Sequence, residues 1–386
     1  MMKKFLLRTV SYLLVAIAAS SVTFGLCNYQ PTGKLAGLQA LLERCYIGDM
    51  DQKTVEDAAA SAMVEALGDR WSHYQTAEEY ALYQDAMSNS YVGVGITISV
   101  REDEQGLDIL EVTPNGPAQE AGVQAGDQLV AVDGTDIRGM TLAEVSDLIK
   151  GKEGTSVVLT LIRGEGEVEL SVKRKRIESV VATGFLLEDK VGLITIANFD
   201  DRCAQETIEV IETLRSQGAE ALIFDVRNNP GGYKREMVEL LDYLLPEGPL
   251  FRTEDYRGRE EVDTSDEKCL DIPMAVIVNL HSYSASEFFA AALSEYDAAV
   301  TVGEKTFGKG YFQNTYALKD GSAVTLSIGK YYTPKGVSLA GVGLTPDVEV
   351  PLSEEEFTAL LSGELPAAED PQIQAALNAL KPEKAT

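Results

Sequence analysis

From Ala182 onward, predicted strands and helices alternate along the sequence, and this pattern constrains the fold more than any other feature. Apolar runs alternate with amphipathic segments that end near glycine or proline, at 191–199, 204–217, 221–226, 235–245, 274–279, 284–293 and 299–302. This order predicts an α/β domain. Ligands of such domains tend to bind beyond the carboxyl ends of the strands, where the segments 227–232 and 280–284 fall.

Ser284 lies in the second of these segments, at the predicted start of a helix. Free backbone N–H groups and the helix dipole at such a start favour negative charge that develops on a substrate oxygen. The N–H of Ala285, with one from Gly231 or Gly232, is therefore a candidate oxyanion hole for acyl transfer. An ordinary strand-to-helix turn, with Ser284 as a helix cap, explains the same residues.

A serine nucleophile needs a base, and the chain contains only two histidines, His73 and His281. His281 has no obvious carboxylate partner in the sequence. A lysine without a nearby salt-bridge partner can instead lose its proton and activate a hydroxyl. Lys305 and Lys309 are equal candidates by chemistry. The acting lysine must be buried, because burial disfavours the ammonium form, and an exposed Lys309 would count against this role.

The second half of the chain resembles the C-terminal processing peptidases, also called tail-specific proteases, of peptidase family S41. The resemblance covers about residues 68–351 and rests on SYSASE at 282–287, DVRNNPGG at 225–232, KYYTP at 330–334 and GLTPD at 343–347. In the family a lysine follows the middle serine of the first motif by 25 positions, and a glutamine follows four positions later. The match implies a Ser284 nucleophile, a Lys309 general base and a Gln313 that orients the lysine.

The resemblance also implies an α/β peptidase core with a crotonase-like ββα pattern. Two residues depart from it, since His281 stands where glycine is common and Tyr283 where alanine is common. Neither change removes a catalytic group. A phosphate-binding loop is a poor alternative for residues 303–309, because Gly310 stands where such a loop needs a hydroxyl for magnesium.

Residues 90–177 show a different pattern of short strands, glycine turns and one capped helix at 141–150. This segment resembles a bacterial PDZ domain through YVGVGI at 91–96, PAQEAG at 117–122 and GDQLVAVDG at 126–134. The resemblance implies that the N–H groups of Val94, Gly95 and Ile96 bind the terminal carboxylate of a peptide, which adds a strand to the sheet edge. A glycine-kinked strand without a ligand is the alternative.

The first 27 residues place Lys3, Lys4 and Arg8 ahead of an uncharged stretch at 9–27. This order predicts an uncleaved signal anchor in the cell membrane, with the body of the protein on the extracytoplasmic side. A cleaved signal that releases a secreted protein is the alternative. Residues 28–89 are predicted to be a helical region for packing or dimerisation, so a homo-oligomer is possible.

The composition of the chain limits the classes of partner and cofactor that it can bind. A net charge of -28 argues against nucleic acid, which an acidic surface repels. Three cysteines remain beyond Cys27 with no CxxC pair, so neither a disulfide framework nor a zinc or redox site is indicated, although one bridge or buried free thiols remain open. We expect no metal and no other cofactor.

The predicted organisation is an anchor at 1–27, a helical region at 28–89, a mainly β PDZ domain at 90–177, a peptidase core at 178–352 and an acidic tail with a short helix at 353–386. The link before that helix suggests a mobile connection. A solvated tail is one interpretation of the segment, and docking to a second subunit is the other. The predicted function is a serine endopeptidase that cleaves exported proteins near flexible or unfolded C-termini. The alternative is a membrane-anchored PDZ scaffold with an inactive peptidase fold.

Overall fold

The computed structural model describes residues 33–101 and 105–381, and the chain divides into two compact units after Gly68. The first unit contains α1 (Lys34–Cys45) and α2 (Gln52–Glu65), and the Asp51 side chain caps the start of α2. The predicted anchor at 1–27 lies outside the described residues. Among the described helices, none is long and apolar enough to cross a membrane.

The second unit opens with β1 (His73–Gln75) and α3 (Ala77–Met87). A capping box fixes the start of α3, because Thr76 and Glu79 satisfy each other's backbone N–H groups. Strand β1 does not join its neighbours in sequence. It pairs with a strand near residue 324, which brings the segment around residue 70 to the peptidase part of the chain.

The β-rich segment that follows has the elements β2 (Ser90–Gly93), β3 (Ile96–Val100), β4 (Leu107–Val112), α4 (Pro117–Ala121), β5 (Gln128–Val132), β6 (Thr135–Asp136), α5 (Leu142–Ile149), β7 (Ser156–Arg163), β8 (Gly166–Lys173) and β9 (Lys175–Glu178). Five of these strands form a sheet in the order β3-β4-β5-β7-β8, with β6 beside β5. The buried side chains form a core of their own that includes Leu129, Val145 and Leu159. The segment therefore folds around a separate hydrophobic core.

The remaining elements are β10 (Ala182–Leu186), β11 (Val191–Ile196), α6 (Cys203–Ser216), β12 (Ala221–Asp225), α7 (Lys234–Leu244), β13 (Gly248–Asp255), β14 (Glu260–Ser265), β15 (Met274–Val278), α8 (Ala285–Glu295), β16 (Ala299–Gly303), β17 (Tyr311–Ala317), β18 (Ala323–Tyr332), β19 (Val348–Glu349), α9 (Glu354–Ser362) and α10 (Pro371–Ala379). They build two sheets. The predicted α/β alternation is present in the first of them.

The first sheet has the strand order β10-β11-β12-β15-β16-β19, in which only β10 is antiparallel to its neighbour. Its central strands are buried on both faces. In β12, Leu222 and Phe224 point into the core that contains residues of α6, α7 and α8, whereas Ala221 and Ile223 point into a second core. Burial of both faces explains why these strands are continuous apolar runs.

The second sheet is antiparallel, with the order β1-β18-β13-β14 and with β17 paired to β18. Strand β17 shifts register between Phe312 and Gln313. Such an irregularity re-aims the side chains that follow it. The strand lies next to the candidate site described below.

The C-terminal helix α10 packs on the second face of the first sheet and is not a solvated tail. Ile373 and Ala376 are fully or almost fully buried there, beside Ile223 and Ile277. The interpretation as a solvated tail is therefore wrong for this helix. Its apolar spacing is that of a helix with one buried face, and the sheet supplies the surface that covers it.

Candidate active site

Ser284 lies between the end of β15 and the start of α8, beyond the carboxyl end of a buried strand. Its side chain is almost buried, with 4% of the residue exposed. The backbone has a φ of 60° and a ψ of -126°, a conformation that costs a non-glycine residue about 1–3 kcal/mol. A sharp turn of this kind presents the hydroxyl ahead of the helix start, as a nucleophile requires.

The carboxylate of Glu287 joins the loop of Ser284 to the loop of Lys309. It is fully buried and accepts hydrogen bonds from Ser284 N at 2.9 Å, Thr306 Oγ1 at 2.6 Å, Gly308 N at 2.6 Å and Lys309 N at 2.9 Å. Burial raises the pKa of this carboxyl, and the four hydrogen bonds oppose that rise. One side chain thus fixes the backbone of both candidate catalytic residues.

Lys309 is half-buried, and its Nζ lies 4.6 Å from the ring centroid of Trp71. The guanidinium carbon of Arg70 lies 4.5 Å from the same centroid. Burial lowers the pKa of Lys309 to about 8. The positive charge of Arg70 also lowers it, whereas Glu287 raises it. By contrast Lys305 is exposed, so the environment favours proton loss from Lys309 over Lys305.

Gln313 lies near the start of β17 and lines the same cavity as Lys309. Its Nε2 donates to Tyr311 O and to Ser327 Oγ, both at 3.1 Å. Within the described ranges no hydrogen bond joins Gln313 or Ser284 to the Lys309 side chain. The structure therefore brings the three residues to one cavity without making their side-chain contacts.

The glycine loop after β12 packs directly against the nucleophile. A Cβ added to Gly231 would lie 2.7 Å from Ser284 Cβ and 2.8 Å from Ala285 N, so no side chain fits there. The N–H of Gly231 already donates to Asn229 Oδ1 at 2.8 Å. Within the described chain the N–H groups of Gly232 and Ala285 make no such bond, which favours this pair as the oxyanion donors.

These groups line a cavity of about 800 Å³. A second cavity of about 670 Å³ shares Gly232, Tyr233, Gln313 and Tyr331 with it. The nucleophile therefore lies close to where the two cavities adjoin. A groove that continues past the nucleophile can hold an extended polypeptide on both sides of the bond to be cleaved.

The only two histidines of the sequence have no catalytic partner here. The His281 ring stacks on Phe357 at 5.8 Å between centroids, whereas His73 Nδ1 lies 3.3 Å from Trp71 O in the first cavity. Arg70 and Trp71 lie beside Lys309, and no motif of the sequence indicates this position.

The predicted peptide-binding loop at 94–96 lies at the start of the β-rich segment. Val94 is buried, and Gly95 has a φ of 78°, which favours glycine. The carbonyl oxygens of Val94 and Gly95 accept hydrogen bonds from Ala118 N at 2.9 Å and Thr113 N at 3.0 Å. These bonds hold the loop in place, and the role of its N–H groups, including that of Ile96, stays a prediction.

Comparison with known proteins supports the resemblance on which the site residues were chosen. Residues 190–350 match the model of peptidase family S41, and residues 109–163 match that of the PDZ domain. A probable CtpA-like serine protease of Staphylococcus aureus (strain N315) is 32% identical over 323 residues, which is 82% of this chain and 64% of the relative. The chain thus spans under two thirds of that relative. A similar protein of Staphylococcus haemolyticus (strain JCSC1435) is 33% identical over 313 residues, 80% of this chain and 62% of the relative.

Solved structures agree with this assignment. The photosystem II D1 C-terminal processing protease is 29% identical with a TM-score of 0.51, and the match covers 88% of this chain and 92% of that protein. A putative S41 protease from Bacteroides fragilis NCTC 9343 shares the fold, with a TM-score of 0.56 at 17% identity over 91% of this chain and 98% of that one. The predicted PDZ domain is confirmed by the match at residues 109–163, and the predicted peptidase family is confirmed at residues 190–350, which belong to peptidase family S41.

Proposed function

We propose that this protein is a serine endopeptidase that cleaves flexible polypeptides near their C-termini. The observation that carries the proposal is the buried Glu287 carboxylate, which ties the backbones of Ser284 and Lys309 together while burial holds the pKa of Lys309 near 8. A lysine that loses its proton near neutral pH can act as a general base. The names of the family and of its relatives support the same activity.

In the proposed mechanism, neutral Lys309 takes the proton of Ser284 as the hydroxyl oxygen attacks the substrate carbonyl. The N–H groups of Ala285 and Gly232 stabilise the oxyanion, and each such donor contributes about 10²- to 10³-fold in rate. The lysine then donates its proton to the leaving amine, and water releases the acyl enzyme by the reverse steps. Gln313 orients the lysine once substrate is bound, since catalytic hydrogen bonds often tighten only in the complex.

The PDZ domain is proposed to bind the substrate's terminal carboxylate through the loop that contains Gly95. A bound C-terminus raises the local concentration of the chain at the peptidase groove. Because a carboxylate-binding loop selects the free C-terminus of a substrate, the protein is expected to cleave near C-termini.

We further propose that residues 1–27 hold the protein in the cell membrane, with the catalytic body outside the cytoplasm. The basic residues before an uncharged stretch support this location. A secreted form after signal cleavage is the alternative. Membrane fractionation with protease protection of intact cells separates the two, because a secreted form leaves the membrane fraction empty.

The test of activity uses the fragment that starts at Asn28 and an unfolded protein with an apolar C-terminus. We expect wild type and Lys305→Ala to cleave it in EDTA, and Ser284→Ala and Lys309→Ala to leave it intact. Lys305 is the matched control because it is an exposed lysine of the same loop. Binding of the substrate without cleavage by wild type would instead support the inactive scaffold.

A further inference from the structure

Asp200 is an acidic side chain in the cavity of Ser284 that the proposed mechanism does not use. Its Oδ1 is buried and has no hydrogen-bond partner within the described residues. A buried carboxylate oxygen without a partner is costly, and most buried polar groups are paired. Burial raises the pKa of Asp200 to about 7, and the negative charges of Asp201 and Glu236 add to this rise.

The cation whose charge acts on Asp200, Arg235, already pairs with other groups. Arg235 pairs with Asp201 and lies 3.4 Å from Glu236, and its guanidinium carbon is 4.1 Å from the ring centroid of Tyr233. Its charge opposes the rise in the pKa of Asp200, but it forms no ion pair with this carboxylate. Asp200 thus faces the cavity without a counter-ion among the described residues.

The glycine loop sets the distance from Asp200 to the nucleophile. A Cβ on Gly232 would lie 2.6 Å from Asp200 Oδ1, and one on Gly231 would lie 2.7 Å from Ser284 Cβ. Because consecutive Cα atoms are about 3.8 Å apart, the carboxylate lies at most about 12 Å from the nucleophile's Cβ. An extended substrate rises about 3.3 Å per residue, so Asp200 reaches a side chain within about four residues of the scissile bond.

We propose that Asp200 selects substrates with a lysine or arginine side chain within about four residues of the scissile bond. The inference rests on the proposed function and deepens it by naming a substrate class. Tyr83 and Tyr233 line the same cavity, and their rings suit the aliphatic stem and cationic head of such a side chain. The cation supplies the partner that Asp200 lacks.

Charge near the oxyanion strengthens the argument. The candidate donor Gly232 touches Asp200, so an unpaired Asp200 anion lies close to where negative charge develops on the substrate. A bound cationic side chain cancels that repulsion and gains a charge-assisted hydrogen bond. Both effects act only when Asp200 is ionised, so the preference for basic substrates is expected to increase from pH 6 to pH 8.

The test measures kcat/KM for peptides with an apolar C-terminus that differ at one position. Lysine, norleucine and glutamate are placed in turn at each of the four positions on either side of the scissile bond. For wild type we expect lysine to exceed norleucine about ten- to a hundredfold at one position, the range for a hydrogen bond to a charged group, with glutamate poorest. In Asp200→Asn the lysine-to-norleucine ratio falls to about one.

Asp201→Asn is the matched control, because Asp201 is the adjacent aspartate and already pairs with Arg235. We expect it to keep the lysine preference. A ratio near one at every position in wild type, or an unchanged ratio in Asp200→Asn, overturns the inference. If Asp200→Asn does not fold, the wild-type ratio between pH 6 and pH 8 decides, since a pH-independent ratio also overturns it.

These outcomes separate the inference from the proposed function. Cleavage of the norleucine peptides without a lysine preference removes the role of Asp200 and leaves the peptidase intact. No cleavage of any peptide by wild type removes both. Cleavage of norleucine peptides by Asp200→Asn shows that the variant is folded and that its effect is on specificity.

Discussion

The pH dependence of cleavage tests the role of Lys309 most directly. With a pKa of about 8, the lysine is neutral in about a tenth of the molecules at pH 7, about half at pH 8 and about nine-tenths at pH 9. Only the neutral amine accepts the serine proton, so kcat/KM is expected to rise about tenfold from pH 7 to pH 9 and then level off. If Lys309 had the ordinary pKa of a lysine, kcat/KM would still rise steeply at pH 9.

Arg70 provides a perturbation of known sign. Its guanidinium carbon and Lys309 Nζ each lie within 4.6 Å of the Trp71 centroid, so the two charges are at most about 9 Å apart. At that distance, with an effective dielectric constant of 40 to 80 for the exposed Arg70, repulsion is about 0.5–0.9 kcal/mol. Arg70→Gln should therefore raise the pKa of Lys309 by about 0.3–0.7 units.

The expected result is a loss of about two- to fivefold in kcat/KM at pH 7 that disappears above pH 9. Arg70→Lys keeps the charge and should shift the profile less. Initial rates are measured from pH 6 to pH 9.5 on an unfolded substrate without basic residues near the cleavage site. The Asp200→Asn background removes the titration of Asp200 from the profile.

Two results would refute the reasoning about Lys309. A wild-type profile that is flat between pH 7 and pH 9 would show that no group with the pKa of Lys309 controls the reaction. A uniform loss at every pH in Arg70→Gln would assign Arg70 a structural effect, because a change in pKa cannot reduce the rate at which the lysine is already neutral.

Three further predictions concern the supports of the site. Glu287→Gln should lower kcat at least tenfold with little change in KM. The four donors now share two carboxylate oxygens, and an amide offers them only one acceptor oxygen. A change in KM with kcat unaltered would contradict this prediction. Lys309→Met should raise the free energy of unfolding, measured by urea titration, by about 3 kcal/mol at pH 7 and by nothing above pH 10.5. The pKa of Lys309 is lower in the folded than in the unfolded protein, so the full cost of burying the ammonium is present only below pH 8. Equal stabilities of variant and wild type at pH 7 would contradict this. Truncation after Leu352 should lower the denaturation midpoint. It uncovers the sheet face under α10 and removes Asp370, whose Oδ2 lies 2.7 Å from Nη1 of the buried Arg227. An unchanged midpoint would refute this prediction.

The chemistry of the site could be predicted from the sequence because its residues lie in short motifs. Ser284 precedes a predicted helix, and the motif that contains it fixes the positions of Lys309 and Gln313 by spacing alone. The supports could not be predicted in this way. Arg70 and Trp71 meet Lys309 only because β1 pairs with β18, a long-range contact that no local pattern encodes.

Glu287 and Gln313 show two other reasons why the contacts of the site could not be predicted from the sequence. A signal for Glu287 was present, since Ser284 and Glu287 have the Ser-x-x-Glu spacing of a capping box, but the spacing does not reveal bonds to the loop at 306–309. The resemblance implies that Gln313 orients Lys309. Strand β17 begins only at Tyr311 and shifts register at Gln313, so the side chain is directed to Ser327.

The choice between Gly231 and Gly232 also needed the structure. Both glycines satisfy the requirement for a backbone that approaches the nucleophile, and the sequence treats them alike. Asn229 Oδ1 accepts the hydrogen bond from Gly231 N, and Asn229 Nδ2 donates to Ile196 O at 2.9 Å. This fixed asparagine leaves the next N–H, that of Gly232, as the donor available to a substrate oxygen.

The C-terminal helix extends this support to the far side of the sheet. The buried guanidinium of Arg227 binds Asp225 at the end of β12, and Asp370 and Gln372 at the start of α10. Arg227 lies two residues before Asn229, which positions the oxyanion loop. Loss of α10 would remove both acceptors of Arg227 Nη1, Asp370 Oδ2 and Gln372 Oε1. Unpaired N–H donors of a buried guanidinium are costly, and movement of the loop that carries Arg227 relieves that cost. Truncation should therefore reduce kcat even in molecules that remain folded, which links the end of the chain to the donor at Gly232.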